Sequence, residues 1–190
     1  MTQLHAISNV DRRAFDRTVA PHLPALRAAA VRLTGSAAEA DDVLQETMTR
    51  AWTFWDRYEQ GTNVRAWMHR ILYNTFVNGY RRRRREREVL TRVHRESEPP
   101  TVGPRRDGAG LSDEVVEALD GLRDEFRNVV QLVDMADYSY QEAAEALGCP
   151  MGTVMSRLHR GRRALKEKLA PYAVEHGFAV APIPSASSSR

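Results

Sequence analysis

Apolar residues recur every three or four positions through most of the chain, and this period constrains the fold more than any other feature. Such spacing puts the apolar residues on one face of an α-helix. No segment shows the two-residue alternation of a strand. The sequence therefore predicts an all-α protein. The first apolar stripe, which predicts one continuous first helix, contains Phe15, Val19, Leu23, Leu26, Ala30 and Leu33.

Capping residues divide the helical pattern into segments. Ser36 and Glu39 have the spacing of a capping box and predict the start of the second helix. A third helix follows the polar break "DRYEQGTN" and ends in "YRRRRRER". Ser139 and Glu142 repeat the capping-box spacing, and Gly148 predicts the end of the short helix behind them.

The period stops in "ESEPPTVGPRRDGAG", from Glu96 to Gly110, where Pro, Gly and charge dominate. This composition is typical of a linker. We therefore expect two small helical domains joined by a flexible linker, the second a helix-turn-helix. The predicted boundaries are 10–95 for the first domain, 96–111 for the linker, 112–170 for the second domain and 171–190 for a disordered tail.

Charge is distributed unevenly along the chain. The net charge is +3 and the pI is about 9.3, yet arginine is dense from Arg81 to Arg87 and from Arg157 to Arg163. Acidic residues concentrate in 39–46 and 113–125. This asymmetry indicates an anionic partner for some surfaces and a different partner for others.

Several functional classes find no support in the sequence. Cys149 is the only cysteine, so it offers neither an intrachain disulfide nor a zinc cluster. The apolar runs are too short to span a bilayer, and the first residues lack the apolar core of a signal peptide. No phosphate loop, nucleophile elbow or metal-ligand pattern occurs. We expect a soluble cytoplasmic protein that is not an enzyme and that needs no cofactor.

The C-terminal arginines lie on the second helix of the predicted helix-turn-helix. Val154, Leu158 and Leu165 repeat at intervals of four and seven, so they face the core of this helix of about four turns. The polar residues between them point outward, where they can donate hydrogen bonds to guanine and to phosphate. The alternative is a solvated basic helix in an ordinary small bundle.

The segment "YNTFVNGYRRRRR" combines aromatic, amide and arginine side chains. Single-stranded DNA is bound by stacking platforms next to a cationic track, and this segment contains both kinds of group. Core aromatics followed by a solvated run of charge would explain the same residues, and Trp67 fits a core position.

The segment "AEADDVLQETMTRAW" has the opposite character. The pair Asp41 and Asp42 could indicate a metal site or general acid–base catalysis. No His or further carboxylate lies at the spacing of a metal ligand, so the sequence does not support either. A helix with an acidic face and a tryptophan-rich apolar face is more typical of a surface that docks on another protein.

Three segments in this order, "DDVLQETMTRAW", "NVRAWMHRILYNTFVNGYRRR" and "MGTVMSRLHRGRRAL", resemble a bacterial extracytoplasmic-function (ECF) sigma factor. The residues of the last two segments are most similar to those of the subgroup that responds to thiol-oxidative stress. The resemblance implies a protein that binds core RNA polymerase and directs promoter-specific initiation.

In the family, the first domain binds the clamp helices of the polymerase β′ subunit and captures the non-template strand of the −10 element. One base is flipped into a pocket formed by the loop that here is 59–63. The matching polymerase-binding positions are Asp41, Asp42, Gln45, Glu46 and Arg50. The matching −10 positions are Asn63, Trp67, Asn74, Asn78, Arg81 and Arg82.

The second domain in the family binds the flap of the β subunit and reads the −35 element. The matching base-facing positions are Met155, Ser156, His159 and Arg160, with Thr153, Arg162 and Arg163 nearer to phosphate. The resemblance also implies an anti-sigma factor, of the zinc-binding type if the stress subgroup applies. Cys149 alone cannot form an intramolecular redox switch.

Two other functions compete with this interpretation. A conventional helix-turn-helix regulator would bind duplex operator DNA without polymerase, but it leaves the acidic helix unexplained. An enzyme that acts on nucleic acid would need a catalytic constellation, and the sequence offers none.

Overall fold

The computed structural model describes residues 9–94 and 110–177, and the chain folds as two compact units, Met1–Leu111 and Ser112–Arg190. The regular elements of the described residues are helices, with no strand among them. The predicted all-α class with two helical domains is therefore confirmed. Most of the predicted linker (96–109), the last residue of the predicted first domain and the end of the predicted tail (178–190) lie outside the described residues.

Unit 1 is built around a long helix that packs against the three helices before it. Helix α3 contacts both α2 and α4, so its inner side carries residues of no exposed area such as Ala40, Thr47 and Ala51. The core between the helices is filled by Leu26, Met68 and other apolar side chains. The four helices are α1 (Asn9–Val19), α2 (Leu23–Thr34), α3 (Ala37–Thr53) and α4 (Val64–His94).

The prediction of one continuous first helix is wrong, because a 3-10 turn at Ala20–His22 separates α1 from α2. Pro21 lies in this turn, and a proline in a helix interior removes one backbone donor and clashes with the preceding turn. Pro24 stands in the first turn of α2, where its missing N–H costs nothing. Val19 and Leu26, on either side of the break, are both fully buried.

The predicted helix caps are present. Ser36 Oγ accepts a hydrogen bond from Glu39 N at 3.4 Å, and Ser139 and Glu142 form both bonds of a capping box. Gly148 ends the short helix after Ser139 with a φ of +60°, a left-handed conformation that suits glycine.

The end of the predicted linker packs on unit 1. Leu111 N donates a hydrogen bond to Leu33 O at 3.1 Å. A Cβ atom at Gly110 would lie 2.5 Å from the carbonyl carbon and oxygen of Thr34, so only glycine fits there. These two residues therefore depart from the expectation of a linker with little packing of its own.

Unit 2 is a helix-turn-helix braced by two preceding helices. Val116, Val129 and Val154 are among its fully buried side chains. A π-helical turn, Gln131–Met135, extends α6 before the chain reaches α7. The helices are α5 (Asp113–Asp120), α6 (Asp124–Val130), α7 (Tyr140–Leu147) and α8 (Met151–Glu175).

Helix α8 crosses α6 closely at Gly161. A Cβ atom added there would lie 2.9 Å from Val130 Cγ2 and 3.4 Å from Phe126 Cβ. The backbone of α8 therefore packs directly onto these two side chains, which fixes how α8 is rotated about its own axis.

Helix α8 is longer than predicted. It spans 25 residues instead of about four turns, and it continues through Pro171 to Glu175. The prediction of a disordered tail from residue 171 is therefore wrong for its first five positions. A proline inside a helix removes only one hydrogen bond and weakens the helix without always ending it. Beyond Pro171, the ring centroids of Tyr172 and His176 lie 4.3 Å apart, with the two residues one helical turn from each other.

Candidate nucleic-acid and protein interfaces

The predicted polymerase-binding residues share the outer face of α3. This face is opposite the buried Ala40, Thr47 and Ala51, because residues four positions apart lie above one another on a helix. Four of the five residues are exposed. The side chain of the fifth, Arg50, is 42% exposed to solvent. The face comprises Asp41, Asp42, Gln45, Glu46 and Arg50.

Two of these carboxylates already have partners. Arg27 on α2 donates from Nε to Asp41 Oδ1 at 2.8 Å and from Nη2 to Asp41 Oδ2 at 3.1 Å. The hydrogen bonds from Arg27 lower the pKa of Asp41 and raise the pKa of Arg27 itself. Arg50 Nε lies 2.7 Å from Glu46 Oε1 one turn away.

Asp42 and Gln45 differ from their neighbours. Within residues 9–94 and 110–177, neither side chain makes a hydrogen bond or an ion pair, and both are exposed. A carboxylate and an amide that engage no other described residue can bond to a partner protein without first breaking a contact within those ranges. These two residues are therefore the most available polar groups of the α3 face.

On α4, exposed amides alternate with buried rings. Asn74 and Asn78 are exposed and one turn apart, so they share one face. Tyr73, Phe76 and Tyr80 are 4%, 3% and 2% exposed. Of the two interpretations of this segment, the burial of these rings favours core aromatics over stacking platforms for DNA.

The arginines of the basic run directly follow the buried part of α4. Arg81 and Arg82 are exposed and come directly after Tyr80, the last buried residue among the described side chains of this helix. The Arg82 Nε atom lies 3.9 Å from Glu86 Oε1, in a loose pair within the helix. The amides and these guanidinium groups thus follow one another along the outside of α4.

The remaining two predicted −10 residues lie at the start of α4. Asn63 Oδ1 accepts a hydrogen bond from Ala66 N at 3.0 Å and so caps the helix. Trp67 is half-buried, and its ring centroid lies 5.0 Å from that of Tyr58 and 6.2 Å from that of Trp55. The prediction that Trp67 is a core residue and the prediction that it contacts DNA are both compatible with this position.

An aromatic cluster supports the loop before α4. Trp55 and Tyr58 are stacked, with centroids 5.1 Å apart and planes at 16°. Phe15 of α1 meets Trp52 and Trp55 edge-on, each at 5.1 Å. Offset and edge-to-face pairs of this kind each contribute about 0.5–1.5 kcal/mol beyond the area they bury. The cluster, defined as Phe15, Trp52, Trp55, Tyr58 and Trp67, therefore ties α1 to the loop.

In unit 2, the predicted −35 residues lie on the outside of α8. Val154 and Leu158 are 0% and 2% exposed, as the period predicts, while Leu165 is half-buried. Thr153 is also half-buried. The exposed members of the predicted set are Met155, Ser156, His159, Arg160, Arg162 and Arg163.

The three arginines of this face are held differently. Arg160 makes no hydrogen bond or ion pair within the described part of the chain. Arg163 Nε lies 3.0 Å from Glu167 Oε1, an exposed pair one turn apart. Arg162 donates to both oxygens of Asp134 on the π-helical turn, with Nε 3.1 Å from Oδ2. Hydrogen bonding to Asp134 raises the pKa of Arg162.

A groove of about 390 Å³ runs along this face. Sequence reasoning did not identify Tyr140, which borders the groove from the first turn of α7. Its place beside the groove depends on how α7 packs against α8, which the local sequence pattern does not show. The groove is lined by Tyr140, Met155, Leu158, His159, Arg162, Arg163 and Lys166.

Cys149 lies in the turn between α7 and α8 and is half-buried. The Nη1 atom of Arg157 is 4.0 Å from its sulfur, and Arg157 Nε is 3.8 Å from Glu125 Oε2 on α6. Arg157 therefore braces α8 against α6, away from the exposed arginines.

Neither a metal cluster nor a membrane-spanning helix is found in the described residues. Within residues 9–94 and 110–177, no three His, Cys, Asp or Glu side chains are grouped so that they could hold a metal ion. No helix in the same ranges combines the length and the apolar character needed to cross a bilayer.

Comparison with known proteins identifies both units. The model of Sigma-70 region 2 matches residues 18–86, and that of Sigma-70, region 4 matches residues 112–165. The chain is 38% identical to the ECF RNA polymerase sigma factor EcfG of Rhodopseudomonas palustris over 148 residues, which cover 77% of this chain and 80% of that protein.

Two further proteins are similar. The ECF RNA polymerase sigma factor SigE of Mycolicibacterium smegmatis is 36% identical over 167 residues, which cover 85% of this chain and 64% of that protein. The sigma factor RpoE of Bartonella quintana, solved in complex with the anti-sigma factor NepR, is 32% identical and matches 83% of this chain and 98% of its own, with a TM-score of 0.44.

The two matched regions occur in order, one within each unit, and together with EcfG they establish the relationship over most of the chain. This chain belongs to the ECF RNA polymerase sigma factors, the initiation factors that give RNA polymerase its promoter specificity.

Proposed function

We propose that the two units divide the work of initiation between core polymerase and the two promoter elements. As a sigma factor the chain is not an enzyme, so each of its surfaces acts by binding. The observation that supports this division is the contrast between the polar faces. Helix α3 exposes carboxylates and an amide, whereas α4 and α8 expose amides and guanidinium groups. DNA phosphate attracts the second kind of face and repels the first.

The α3 face is the proposed contact for the clamp helices of the β′ subunit. Asp42 and Gln45 carry most of this contact, because their polar atoms are exposed and engage no other described residue. Asp41, Glu46 and Arg50 contribute less, since each is held in an ion pair that a partner would have to match.

The outer face of α4 is the proposed site for the non-template strand of the −10 element. The amides of Asn74 and Asn78 both donate and accept, which suits the edges of unpaired bases. Arg81 and Arg82 contact the neighbouring phosphates. Extruding a base costs a few kcal/mol, so base and phosphate contacts must act together to offset that cost.

Asn63 and Trp67 border the proposed base pocket at the start of α4. The Asn63 oxygen is engaged in the helix cap, so its amide nitrogen is the group that can donate to a base. The exposed part of the Trp67 ring offers a flat apolar wall against which a flipped base can stack.

The outer face of α8 is the proposed reader of the −35 element in the major groove. Arg160 is the strongest candidate for a bidentate contact with guanine, because its guanidinium is exposed and without an internal partner in the described residues. Met155, Ser156 and His159 lie on the same face and contact neighbouring bases. Arg162, Arg163 and the half-buried Thr153 contact phosphate.

Two further partners complete the proposal. The apolar surface of the helices before α7 binds the β flap, as in the family that the chain resembles. An anti-sigma factor, zinc-binding if the chain belongs to the thiol-oxidative-stress subgroup, covers the polymerase-binding faces in the cytoplasm. The exposed groups of the α3 face would be inaccessible to polymerase in such a complex, so the two partners exclude each other.

The test is transcription with purified core polymerase on a library of genomic promoter fragments. We expect initiation at a small set of promoters that share −35 and −10 sequences, and no binding of the chain to duplex promoter without core polymerase. A well-folded chain that directs no promoter-specific initiation would contradict the proposal. Tight dimeric binding to duplex operator DNA alone would favour the conventional regulator.

A further inference from the structure

We propose that Tyr58 is a positioning residue that holds the loop 59–63 in the conformation that reads the −10 element. The inference rests on the proposed role of this loop as the wall of the base pocket. Tyr58 belongs neither to the α3 face nor to the predicted DNA-binding residues, and it acts through the backbone of the loop.

Hydrogen bonds close the loop onto Tyr58. The Tyr58 hydroxyl donates to Thr62 O at 2.7 Å. Thr62 in turn donates twice to Glu59 O, from Oγ1 at 2.7 Å and from its backbone N at 3.1 Å. Gly61, with a φ of +92°, makes the tight turn between them. The phenol thus ties the far end of the loop to its beginning.

The ring of Tyr58 is itself fixed. It stacks on Trp55 at 5.1 Å and lies 5.0 Å from Trp67 at the start of α4. Phe15, which is 4% exposed, holds Trp55 from the other side. Because the ring cannot move freely, its hydroxyl has a defined position, and the carbonyl of Thr62 is drawn to that position.

The loop has little else to order it. Glu59, Gly61 and Thr62 are all exposed, so the loop buries no apolar side chain at these positions. An exposed loop without such ties loses conformational entropy when a ligand binds, and that loss weakens binding. The Tyr58 bond keeps the backbone groups of the pocket, and the Asn63 cap that follows them, in place before DNA arrives.

The experiment compares Tyr58→Phe with the wild-type chain in reconstituted holoenzyme. The variant removes one hydroxyl and keeps the stacked ring. Tyr172→Phe, which removes a hydroxyl from α8, is the matched control. Open-complex formation is measured on one promoter and on versions with single base changes in the −10 or the −35 element. The readout is the discrimination ratio between the preferred base and each substitute.

We expect Tyr58→Phe to lower discrimination at one or two adjacent −10 positions by about 2- to 12-fold, the range that one net hydrogen bond supplies. Discrimination at −35 is expected to stay unchanged, and Tyr172→Phe is expected to match wild type at both elements. Thr62→Ala removes the hydrogen bond from Thr62 Oγ1 to Glu59 O, which orders the same loop, and it should lower the same discrimination ratios. The double variant should lose less than the sum of the single losses, since both bonds order one loop.

Two results overturn the inference. Unchanged −10 discrimination in both Tyr58→Phe and Thr62→Ala would show that the loop needs neither of these two hydrogen bonds. An equal loss at −10 and −35 would assign Tyr58 a general structural role. A wild-type holoenzyme that does not discriminate between −10 sequences would instead contradict the proposed function itself.

Discussion

Both carboxylate oxygens of Asp134 accept hydrogen bonds from the guanidinium of Arg162, 28 residues further along the chain. The pair joins the π-helical turn Gln131–Met135 to the face of α8 proposed to meet DNA. Asp134 binds the Arg162 guanidinium through both of its oxygens and is itself only 29% exposed, whereas Glu167, which pairs with Arg163, is 64% exposed. Since solvent screens the exposed pair more, Arg162 presents a weaker positive potential to phosphate than Arg163. It also anchors α8 on the π-helical turn that extends α6.

The Asp134 pair predicts a difference between two adjacent arginines. Arg163→Ala should reduce the slope of log K against log salt for holoenzyme binding to promoter DNA by about 0.9, the value for one phosphate contact. Arg162→Ala should reduce that slope by less and should lower the thermal stability of unit 2. Binding titrations over a range of salt concentrations, with thermal unfolding, would measure both. Equal changes in slope would show that Asp134 releases Arg162 when DNA binds.

Arg160→Ala tests base recognition. Loss of a bidentate contact with guanine should cost about 1–3 kcal/mol at the preferred −35 base and should relax specificity at that position. The measurement compares holoenzyme binding to promoters that carry each of the four bases there. A loss that is uniform over all −35 sequences would make Arg160 a phosphate contact.

The α3 face predicts a selective loss of polymerase binding. Asp42→Asn combined with Gln45→Ala should weaken binding to core polymerase by at least about tenfold, or ~1.4 kcal/mol. Asp16→Asn on α1 is the matched control for the loss of an exposed carboxylate. Competition for core polymerase against a labelled wild-type chain would measure the effect. Equal affinity of the double variant and the control would remove α3 from the interface.

The Arg27–Asp41 pair predicts a small dependence of stability on pH. Since hydrogen bonding lowers the pKa of Asp41, the folded state favours the charged carboxylate. The contribution is therefore fully present above the ordinary aspartate pKa of about 3.9, and it is lost as the pH falls through the lowered value. Asp41→Asn should be less stable than wild type at pH 7 by a modest amount, because the pair is exposed.

The same difference should vanish in acid. Urea unfolding followed by tryptophan fluorescence isolates the relevant unit, because Trp52, Trp55 and Trp67 are the only tryptophans and all lie in unit 1. A difference between wild type and Asp41→Asn that persisted unchanged well below pH 3.9 would show that the ion pair is not its source.

Local features of the fold were predictable from the sequence because they depend on neighbouring residues. The serine cap at Ser36, the capping box at Ser139 and the left-handed Gly148 needed only a spacing of a few positions. Prolines were harder to interpret. Pro21 breaks a helix that the apolar stripe alone would continue, whereas Pro171 lies inside one. Which outcome follows depends on the packing on both sides of the proline, and that packing is a tertiary property.

The candidate interfaces were predictable as faces but not in detail. Helical spacing placed Arg160 outside, and the resemblance to the family singled out Asn74 and Asn78. It could not reveal that Arg27 reaches Asp41, or that Asp134 reaches Arg162, since these pairs join residues 14 and 28 positions apart. The tie between Tyr58 and Thr62 is short in sequence, yet its strength as a positioning contact depends on the aromatic cluster that fixes the ring.

The segment of α4 from Arg84 to Leu90 lies outside the core. Among the described side chains of α4 the last buried one belongs to Tyr80, and Leu90 lies about 15 Å further along the helix at 1.5 Å per residue. From Arg84 to Leu90 every side chain is exposed, and local pairs such as Arg84–Glu88 at 3.1 Å help to stabilise this part of the helix. Salt screens such pairs. Rising ionic strength therefore loosens this segment at the same time as it weakens the proposed attraction between Arg81, Arg82 and DNA phosphate, so one change in the cell's ion content acts on α4 in two ways.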